Sequence, residues 1–306
     1  MDVTKCKLYK IVRKRDLYKV LRINRNININ SIITYSPYIA ISGKKSRIIE
    51  PAYNTKLKVI QKRIQTLLKD IEVDKNIFSG IPGKSYIDNG IFHLGAKYIV
   101  ALDLSKFFPS IHREKVYNFF KNDLNCSSDV SKILTDLCTI NLDGQKKVPN
   151  SVFEYLRDNK IKSKNHIPTG SSISSILSYL VNYKMFEDVG KIASKYNCKM
   201  SVYVDDIVLS SENEINKNCI REIIAIIRKN GYKIQKKKLK YYNENDYKRV
   251  TGNILDKDGK KLVVPNKIKY KIIRSKNDKK IDDQKKKRKL AGYKNVIDQI
   301  KRANVQ

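Results

Sequence analysis

Hydrophobic residues recur with strand spacing in some segments and with helix spacing in others. In "YIAISGKKSRIIEPA" two short apolar runs flank a basic turn at Gly43, Lys44 and Lys45, which predicts a β-hairpin ending at Pro51. The following segment repeats its apolar residues at helical spacing and predicts an amphipathic helix with lysines on the opposite face. The apolar face consists of Leu57, Ile60, Ile64, Leu67, Leu68 and Ile71.

The strongest strand signals lie in the middle of the chain. The continuous apolar run in "AKYIVALDLS" is typical of a fully buried central strand, and "SVYVDDIVLS" at 201–210 reads as a hairpin. Before that hairpin, "SSISSILSYLVNYKMFEDVGKIASKY" predicts one long helix. After it, "NCIREIIAIIRKNGYKI" predicts an amphipathic helix that ends at Asn230 and Gly231.

The remaining segments predict loops and a basic C-terminal region. Glycine and proline punctuate "FSGIPGKSYIDNGIFHLG", and polar residues dominate near 143–169, so both predict loops. From about residue 256 the pattern predicts a short hairpin followed by basic helices. Strands and helices interleave irregularly, which favours an α+β fold with helices on one face of a sheet over a strict βαβ repeat.

Composition adds a partner class to this fold. The 306 residues carry 64 lysines and arginines against 30 acidic residues, a formal charge of +34. Many of these lysines are solvated, but the excess surpasses what solubility requires and favours nucleic acid as a partner. The five cysteines form no C-x-x-C pair, which argues against a zinc site or a disulfide framework. Without a signal-peptide pattern or a run of about 18 apolar residues, we expect a cytoplasmic protein with no membrane association.

Three carboxylates interrupt the apolar runs. Asp103 follows four apolar residues, and Asp205 and Asp206 sit between two short apolar stretches. Burying an unpaired charge costs several kcal/mol, so something must compensate these side chains if they meet. Oxygen ligands of this kind suit Mg²⁺, and two ions about 3.5–4 Å apart would support nucleotidyl transfer. Each motif alone fits an Asp-containing turn or a helix cap equally well.

The motifs together resemble those of bacterial retron reverse transcriptases. "YVDDIVLS" is similar to the Y-x-D-D hairpin of reverse transcriptases, and "ALDLSKFFPSI" resembles their first carboxylate motif. "IPTGSSISSILSYLVNY" is similar to P-Q-G-x-x-x-S-P-x-L-x-N, and "IQKKKLK" to the lysine segment after the hairpin. "NGIFH" resembles the retron N-A-x-x-H string, and "RVTGNIL" the V-T-G string. Their order holds from residue 45 to "KRKLAGYKNVI", nearly the whole chain.

The resemblance implies a right-hand polymerase with fingers, palm and thumb. The N-terminal helices and fingers would occupy 1–97, the palm and its antiparallel sheet 98–255 with a fingers insertion near 143–170, and the basic thumb 256–306. Asp103, Asp205 and Asp206 would be the catalytic residues, and together with the Leu104 carbonyl they would hold two Mg²⁺ ions. Because consecutive strand residues point in opposite directions, we expect Asp206 to be less directly engaged than Asp205.

The resemblance also implies a deoxynucleotide site. Arg47, with Lys44 or Lys45, would grip the triphosphate, and Lys238 would approach the leaving pyrophosphate. Phe108 would exclude a 2′-hydroxyl, although a core position fits Phe107 and Phe108 equally without the motif register. Gly170 would let the backbone approach the nucleotide. The family's glutamine is Thr169 here, and Ser174 and Ser175 replace its S-P pair.

Recognition of RNA is implied by the two retron-specific strings. Asn89 and His93 would shape a surface for the cognate RNA, and Gly90 replaces the family's alanine. Val250, Thr251 and Gly252 would contribute to template-primer or RNA recognition. The partners implied are a structured noncoding RNA, dNTPs, the branched RNA-linked DNA product (msDNA), and an effector protein of an anti-phage defence system.

Two alternatives stay open at this stage. The chain could be another compact reverse transcriptase, of the diversity-generating or group II intron type, although we expect an intron enzyme to carry more than the 54 residues that follow Gly252 (306 − 252). It could also be an RNA-binding scaffold without catalysis. Metal-dependent incorporation of dNTPs separates the scaffold from the enzymes.

Overall fold

The computed structural model describes residues 1–43, 45–278 and 282–305 as an α+β protein with antiparallel sheets. Its helices are α1 (Lys14–Leu21), α2 (Ile29–Ile32), α3 (Thr55–Leu68), α4 (Tyr86–Phe92), α5 (Arg113–Asn118), α6 (Ser128–Cys138), α7 (Asn150–Asp158), α8 (Ser174–Leu180), α9 (Tyr183–Lys195), α10 (Lys217–Lys229), α11 (Asn266–Asn277) and α12 (Asp283–Ala303). Its strands are β1 (Tyr38–Ser42), β2 (Lys45–Ile49), β3 (Tyr98–Asp103), β4 (Ile140–Asn141), β5 (Asn165–His166), β6 (Lys199–Tyr203), β7 (Asp206–Ser211), β8 (Lys240–Tyr242), β9 (Lys248–Val250), β10 (Asn253–Leu255) and β11 (Leu262–Val263).

A four-stranded sheet in the order β6-β7-β3-β8 forms the centre of the molecule. The predicted buried strand is β3, which pairs antiparallel with β7 along its whole length and with β8 along part of it. The predicted hairpin at 201–210 is β6 and β7. Apolar side chains of both strands are buried on both faces of the sheet, and a slip of one residue would transfer each of them to the opposite hydrophobic cluster.

The fingers-like hairpin and the helix after it follow the sequence prediction. Strands β1 and β2 pair antiparallel, with Ala40 opposite Arg47. Helix α3 begins after Asn54, whose side chain accepts a hydrogen bond from the Lys56 N–H, and its predicted apolar face is buried. Lys44, which we predicted in the turn, lies outside the described residues.

Two segments predicted as loops contain helices. Helix α4 lies within "FSGIPGKSYIDNGIFHLG" and begins at a capping box formed by Ser85 and Asp88. Helix α7 lies within 143–169 and buries Val152, Tyr155 and Leu156, which have helical spacing. Glycine, proline and polar neighbours hid both patterns because each helix is short.

The long helix predicted across 171–196 was wrong, since α8 and α9 are separate helices. The interruption occurs at Asn182, whose side-chain amide donates to the Ser178 carbonyl at 2.9 Å, while its side-chain oxygen accepts from the Tyr232 hydroxyl at 2.7 Å. The side chain thus satisfies a helix-terminal carbonyl and links the break to the segment after α10. Helix α10 ends at Asn230 and Gly231, as predicted.

Two hydrophobic clusters hold these elements together. The larger runs from Cys6 to Tyr232 and joins the N-terminal helices to one face of the central sheet. The smaller packs α4, Ile99 and Val208 against β9–β11 and α12. The cores cross the predicted boundaries at 97 and 255, and the division into 1–97, 98–255 and 256–306 stays a prediction. All five cysteines are buried free thiols. In the described part of the chain, no helix is both long and apolar enough to span a membrane.

Candidate active site

The central sheet brings the two carboxylate motifs together. Asp103 is the last residue of β3 and Asp206 is the first residue of β7, and the register places them directly opposite each other. Opposed residues in antiparallel strands have Cα atoms about 4.5–5.5 Å apart. Asp205 occupies the turn between β6 and β7, and its carbonyl accepts a hydrogen bond from the Leu104 N–H at 2.8 Å. The three acidic residues therefore meet where the two central strands, β3 and β7, end. We call this end of the sheet the acidic edge.

The turn that carries Asp205 is strained. Val204 has a φ of +58°, a conformation that β-branched residues rarely adopt. Such a conformation costs on the order of 1–3 kcal/mol and persists only when surrounding contacts enforce it. Here the enforcing contacts are the paired strands on both sides of the turn and the Leu104–Asp205 hydrogen bond. The strained residue immediately precedes Asp205 in the turn between β6 and β7.

The carboxylates interact electrostatically. Burial raises the pKa of Asp206 to about 7, with the neighbouring charges of Asp205 and Asp103 adding to the rise. Burial and the Asp103 charge likewise raise the pKa of Asp205, while Lys238 and Arg47 oppose the rise. Asp103 itself is only 6% exposed. This edge of the sheet concentrates more negative charge than its surroundings readily stabilise.

Lys238 supplies one counter-charge. Its ammonium group forms an ion pair with Asp103 Oδ2, and it belongs to the short 3-10 turn Lys236–Lys238 before β8. The Asp103 carbonyl accepts a hydrogen bond from the Gln235 N–H at 2.8 Å, which holds this turn against the end of β3. The sequence left the register within "KKKLK" open by one residue, and Lys238 is the lysine that contacts Asp103.

The chemistry of these donors fits a divalent cation. All three side chains offer oxygen atoms, and among the described residues nothing donates a hydrogen bond to the Leu104 carbonyl. A bound cation would relieve the repulsion that raises the Asp205 and Asp206 pKa values. Within the described ranges, no three acidic, histidine or cysteine side chains stand ready-made as a metal cluster. The fit therefore rests on donor type and charge.

A cleft of about 460 Å³ opens over Asp103 and Asp205. Its walls are β2, the segment after β3, α7, Thr169 and the segment before β8. Lys45 and Arg47 lie on the β2 wall and are exposed, opposite the acidic edge. Asp206 is not among the described lining residues, consistent with an orientation away from the cleft. A basic wall facing a pair of carboxylates can accept a phosphorylated ligand.

The two adjacent phenylalanines have different environments. Phe107 is 3% exposed and packs against Tyr232 and Phe186, with ring centroids 5.3 and 6.4 Å away. Phe108 begins the 3-10 turn Phe108–Ser110, is partly exposed, and lines the cleft. Although the cleft borders both residues, the structure assigns the core position to Phe107 and leaves Phe108 available to a ligand.

Gly170 owes its place to backbone conformation. Its φ is +102°, whereas a Cβ atom would meet only Ile49 Cγ2, at an ordinary 3.5 Å. The reason for glycine in the structure is therefore the left-handed conformation, since little crowds the position. The neighbouring residue, Thr169, lines the cleft directly.

Asn89 and His93 are both fully buried. His93 packs against the paired strands β6 and β7, with Nδ1 2.6 Å from Ser210 Oγ on β7 and Nε2 2.7 Å from Ser201 Oγ on β6. Burial, with a smaller effect of Lys199, lowers the pKa of His93 to about 3, so the ring is neutral. Asn89 donates from Nδ2 to Thr251 Oγ1 at 2.7 Å. In this structure neither side chain reaches solvent. The predicted role in RNA binding stays a prediction, and these two residues could contribute to it only by supporting the surface above them.

The V-T-G string forms the turn between β9 and β10. Val250 is fully buried, whereas Thr251 is partly exposed and Gly252 is exposed, with φ values of +46° and +93° for the latter two. The side-chain amide of Asn253, just after the turn, donates to the Tyr86 carbonyl. A Cβ at Gly90 would lie 2.9 Å from Asn253 Nδ2, which explains glycine where the related string has alanine. Within the V-T-G string, Thr251 and Gly252 are the residues that are accessible to RNA.

Sequence reasoning missed part of the cleft. Tyr155 and Asn159 reach it from α7, the helix that the polar composition of 143–169 concealed. Lys106 lies in the recognised carboxylate string, and its Nζ donates to Tyr155 Oη at 2.7 Å. That contact joins residues 49 positions apart. No local sequence pattern predicts this contact, because Tyr155 is one apolar position of a short helix.

Comparison with known proteins points in one direction. A family model described as "Reverse transcriptase (RNA-dependent DNA polymerase)" matches residues 42–294. The Retron Se72 reverse transcriptase of Salmonella heidelberg (strain 579083-10) is 25% identical over 199 residues, covering 64% of this chain and 46% of that protein.

Two proteins of Escherichia coli are similar at the same level. The Retron Ec86 reverse transcriptase is 26% identical over 194 residues, covering 63% of this chain and 52% of its own length. The Retron Ec48 reverse transcriptase is 24% identical over 237 residues, covering 72% and 52%. The chain thus spans about half the length of the curated relatives it matches.

Proposed function

The chain belongs to the reverse transcriptase (RNA-dependent DNA polymerase) family, and from that premise we propose that it copies RNA into DNA by metal-dependent nucleotidyl transfer. The observation that carries the proposal is the position of Asp103 opposite Asp206, with Asp205 beside them, under a basic cleft. An acidic edge can hold cations, and a basic wall can hold a triphosphate. Those two features together are what joining a dNTP to a growing strand requires.

The carboxylates have distinct roles in this proposal. Asp103 and Asp205 would hold two Mg²⁺ ions with the Leu104 carbonyl, and Asp206 would be the auxiliary carboxylate. Bound there, the ions would lower the pKa of the attacking 3′-hydroxyl and stabilise the charge on the leaving pyrophosphate. Lys238, which its ion pair with Asp103 holds beside the carboxylates, would give a proton to the pyrophosphate.

The remaining cleft residues select and orient the nucleotide. Lys45 and Arg47 bind the triphosphate from the β2 wall, as their exposed cationic side chains allow. Phe108 lies under the sugar and excludes a 2′-hydroxyl by its volume. Gly170, in its left-handed conformation, keeps the loop after β5 close to the nucleotide.

We assign the retron class of reverse transcriptase as the finer proposal. Support comes from the relatives, which are named retron reverse transcriptases, and from the N-G-I-F-H and V-T-G strings. The chain would bind its own structured RNA, with Thr251 and Gly252 at the contact and Val250, Asn89 and His93 supporting them. Synthesis would begin at an RNA 2′-hydroxyl and yield branched msDNA. An effector protein encoded nearby would complete an anti-phage system in the cytoplasm.

The experiment is a copying reaction with the purified protein, its noncoding RNA, Mg²⁺ and dNTPs. We expect branched DNA from the wild type and none from Asp205→Asn. Asp143→Asn is the matched control, because that carboxylate is exposed and, among the described residues, its ion-pair partner is Lys164 at 2.9 Å. Linear DNA without a branch would contradict the retron class, and undiminished synthesis by Asp205→Asn would contradict the catalytic assignment.

A further inference from the structure

We propose that Glu50 and His166 form a buried positioning pair that fixes the nucleotide-binding walls of the cleft relative to each other. The inference deepens the proposed function and rests on it. Glu50 follows β2, which carries Lys45 and Arg47, and His166 ends β5, just before Thr169. Neither Glu50 nor His166 is among the described residues that line the cleft. Their effect on a nucleotide must therefore pass through the walls that they join.

The pair is closed to solvent and satisfied by hydrogen bonds. Both side chains are 0% exposed, and His166 Nε2 lies 2.9 Å from Glu50 Oε1. The other ring nitrogen, Nδ1, lies 3.1 Å from the Ser163 carbonyl oxygen. Both ring nitrogens therefore face oxygen atoms, and the ring is held from two sides. The pair satisfies polar groups that would be costly to bury without partners.

The second Glu50 oxygen fastens the loop that enters the cleft. Oε2 accepts a hydrogen bond from the Thr169 N–H at 2.9 Å, and the Glu50 N–H donates to the Thr169 carbonyl at 2.7 Å. Residue 169 is thus held through its main chain from both sides. A further contact, Ser171 Oγ to Gln61 Oε1 at 2.8 Å, holds the far end of the loop against α3. The side chain of Thr169 takes no part in this fastening.

These hydrogen bonds hold the loop through its main chain, so its place does not depend on the Thr169 side chain. The main chain at 169 is tied to Glu50, and Glu50 is only three residues from Arg47 on the same chain segment. His166 in turn pairs with Ile140 in the small β4–β5 sheet, which roots the loop in the helical layer around α6. One carboxylate therefore couples the cationic wall to the loop wall.

A positioning role has a distinctive kinetic consequence. The walls contact the nucleotide equally before and during the chemical step, whereas the carboxylates at Asp103 and Asp205 act on the reacting atoms. Loosening the walls removes binding that is common to the ground state and the transition state, which raises KM and leaves kcat nearly unchanged. Removing one partner also leaves the other as a buried polar group without its hydrogen-bond partner, so the single substitutions should be worse than the double.

The experiment compares Glu50→Gln, His166→Gln and their double variant with the wild type on a primed RNA template. Asp143→Asn serves as the exposed carboxylate-to-amide control. We expect each single substitution to raise the KM for dNTPs about tenfold with kcat within about twofold, and the double variant to be no worse than either single one. An unchanged KM, or a fall in kcat that matches the fall in kcat/KM, overturns the proposal.

Equilibrium binding of a dNTP to the same proteins separates this inference from the proposed function. Absence of copying by the wild type contradicts the proposed function alone, whereas dNTP affinity unaltered by the substitutions contradicts the positioning pair alone. If a single variant melts below the assay temperature, the charge-free double variant carries the test. Hydrogen exchange of the Thr169 amide must also accelerate in His166→Gln, and unchanged exchange overturns the fastening.

Discussion

The acidic edge, formed by Asp103, Asp205 and Asp206, and the polar junction around α4, formed by Asn89 and His93, both consist of polar residues from the recognised motifs. The two groups have different functions. At the edge, carboxylates repel one another, the turn at Val204 is strained, and the cleft above is open. At the junction, Asn89 and His93 lie wholly buried with hydrogen-bond partners on three strands or turns. A motif residue can therefore mark a reacting surface or the internal fastening behind it. Because Asp103 is itself only 6% exposed, the difference lies in contact with the cleft: Asp103 and Asp205 line it, whereas Asn89 and His93 are not among its described lining residues.

The largest expected effects come from two neighbours: Phe107, which packs in the core, and Phe108, which is partly exposed in the cleft. Phe107→Ala should cost about 3–5 kcal/mol of unfolding free energy because it leaves a cavity beside Tyr232 and Phe186. Phe108→Ala should change stability little and lower discrimination against ribonucleotides by at least about tenfold. Denaturant unfolding and single-nucleotide incorporation measure the two quantities. Loss of discrimination in Phe107→Ala alone would reverse the assignment.

Acid should affect the junction through His93. Burial lowers the pKa of folded His93 to about 3, below the usual histidine value of 6.5, so the stability that neutral His93 contributes is complete above pH 6.5 and is lost as pH falls towards 3. Between pH 7 and pH 5.5 we expect a loss of roughly 1 kcal/mol from this residue.

His93→Gln isolates that contribution. Its unfolding free energy should fall less between pH 7 and pH 5.5 than that of the wild type, since glutamine does not titrate. Urea unfolding at the two pH values gives the difference. An equal change in unfolding free energy between the two pH values for both proteins would mean that His93 is not held neutral by its burial beside Ser201 and Ser210.

The smallest effect should come from Val204. Val204→Gly relieves the left-handed strain, while the greater freedom of glycine in the unfolded chain opposes the gain. We expect a net rise of about 0.5–1 kcal/mol in unfolding free energy. Val202→Gly, in the buried strand before the turn, should instead be destabilising. A destabilised Val204→Gly variant would show that the turn carries no strain.

Sequence patterns predicted the parts of the fold that rest on local periodicity. The buried strand β3 and the hairpin of β6 and β7 were visible because each contains a continuous apolar run with few interruptions. The short helices α4 and α7 were missed because two turns of helix give too few apolar positions to stand out. The break at Asn182 depends on Tyr232, a contact made only in the folded chain.

The candidate site divides in the same way. Asp103, Asp205 and Asp206 could be chosen from sequence because charges inside apolar runs are conspicuous. The buried state of Asn89 and His93 could not, because it depends on where α4 packs against β6, β7 and the β9–β10 turn. The contact between Glu50 and His166 could not be predicted, since the two residues are 116 positions apart and neither was singled out within its segment.

The central claim is that the acidic edge performs the chemistry. Incorporation of dNTPs on an RNA template with a DNA primer, in Mg²⁺, tests it most directly when wild-type protein is compared with Asp103→Asn. We expect kcat to fall by about 10³-fold or more in the variant while the melting temperature does not fall. A variant that retains kcat within about tenfold of the wild type would contradict it.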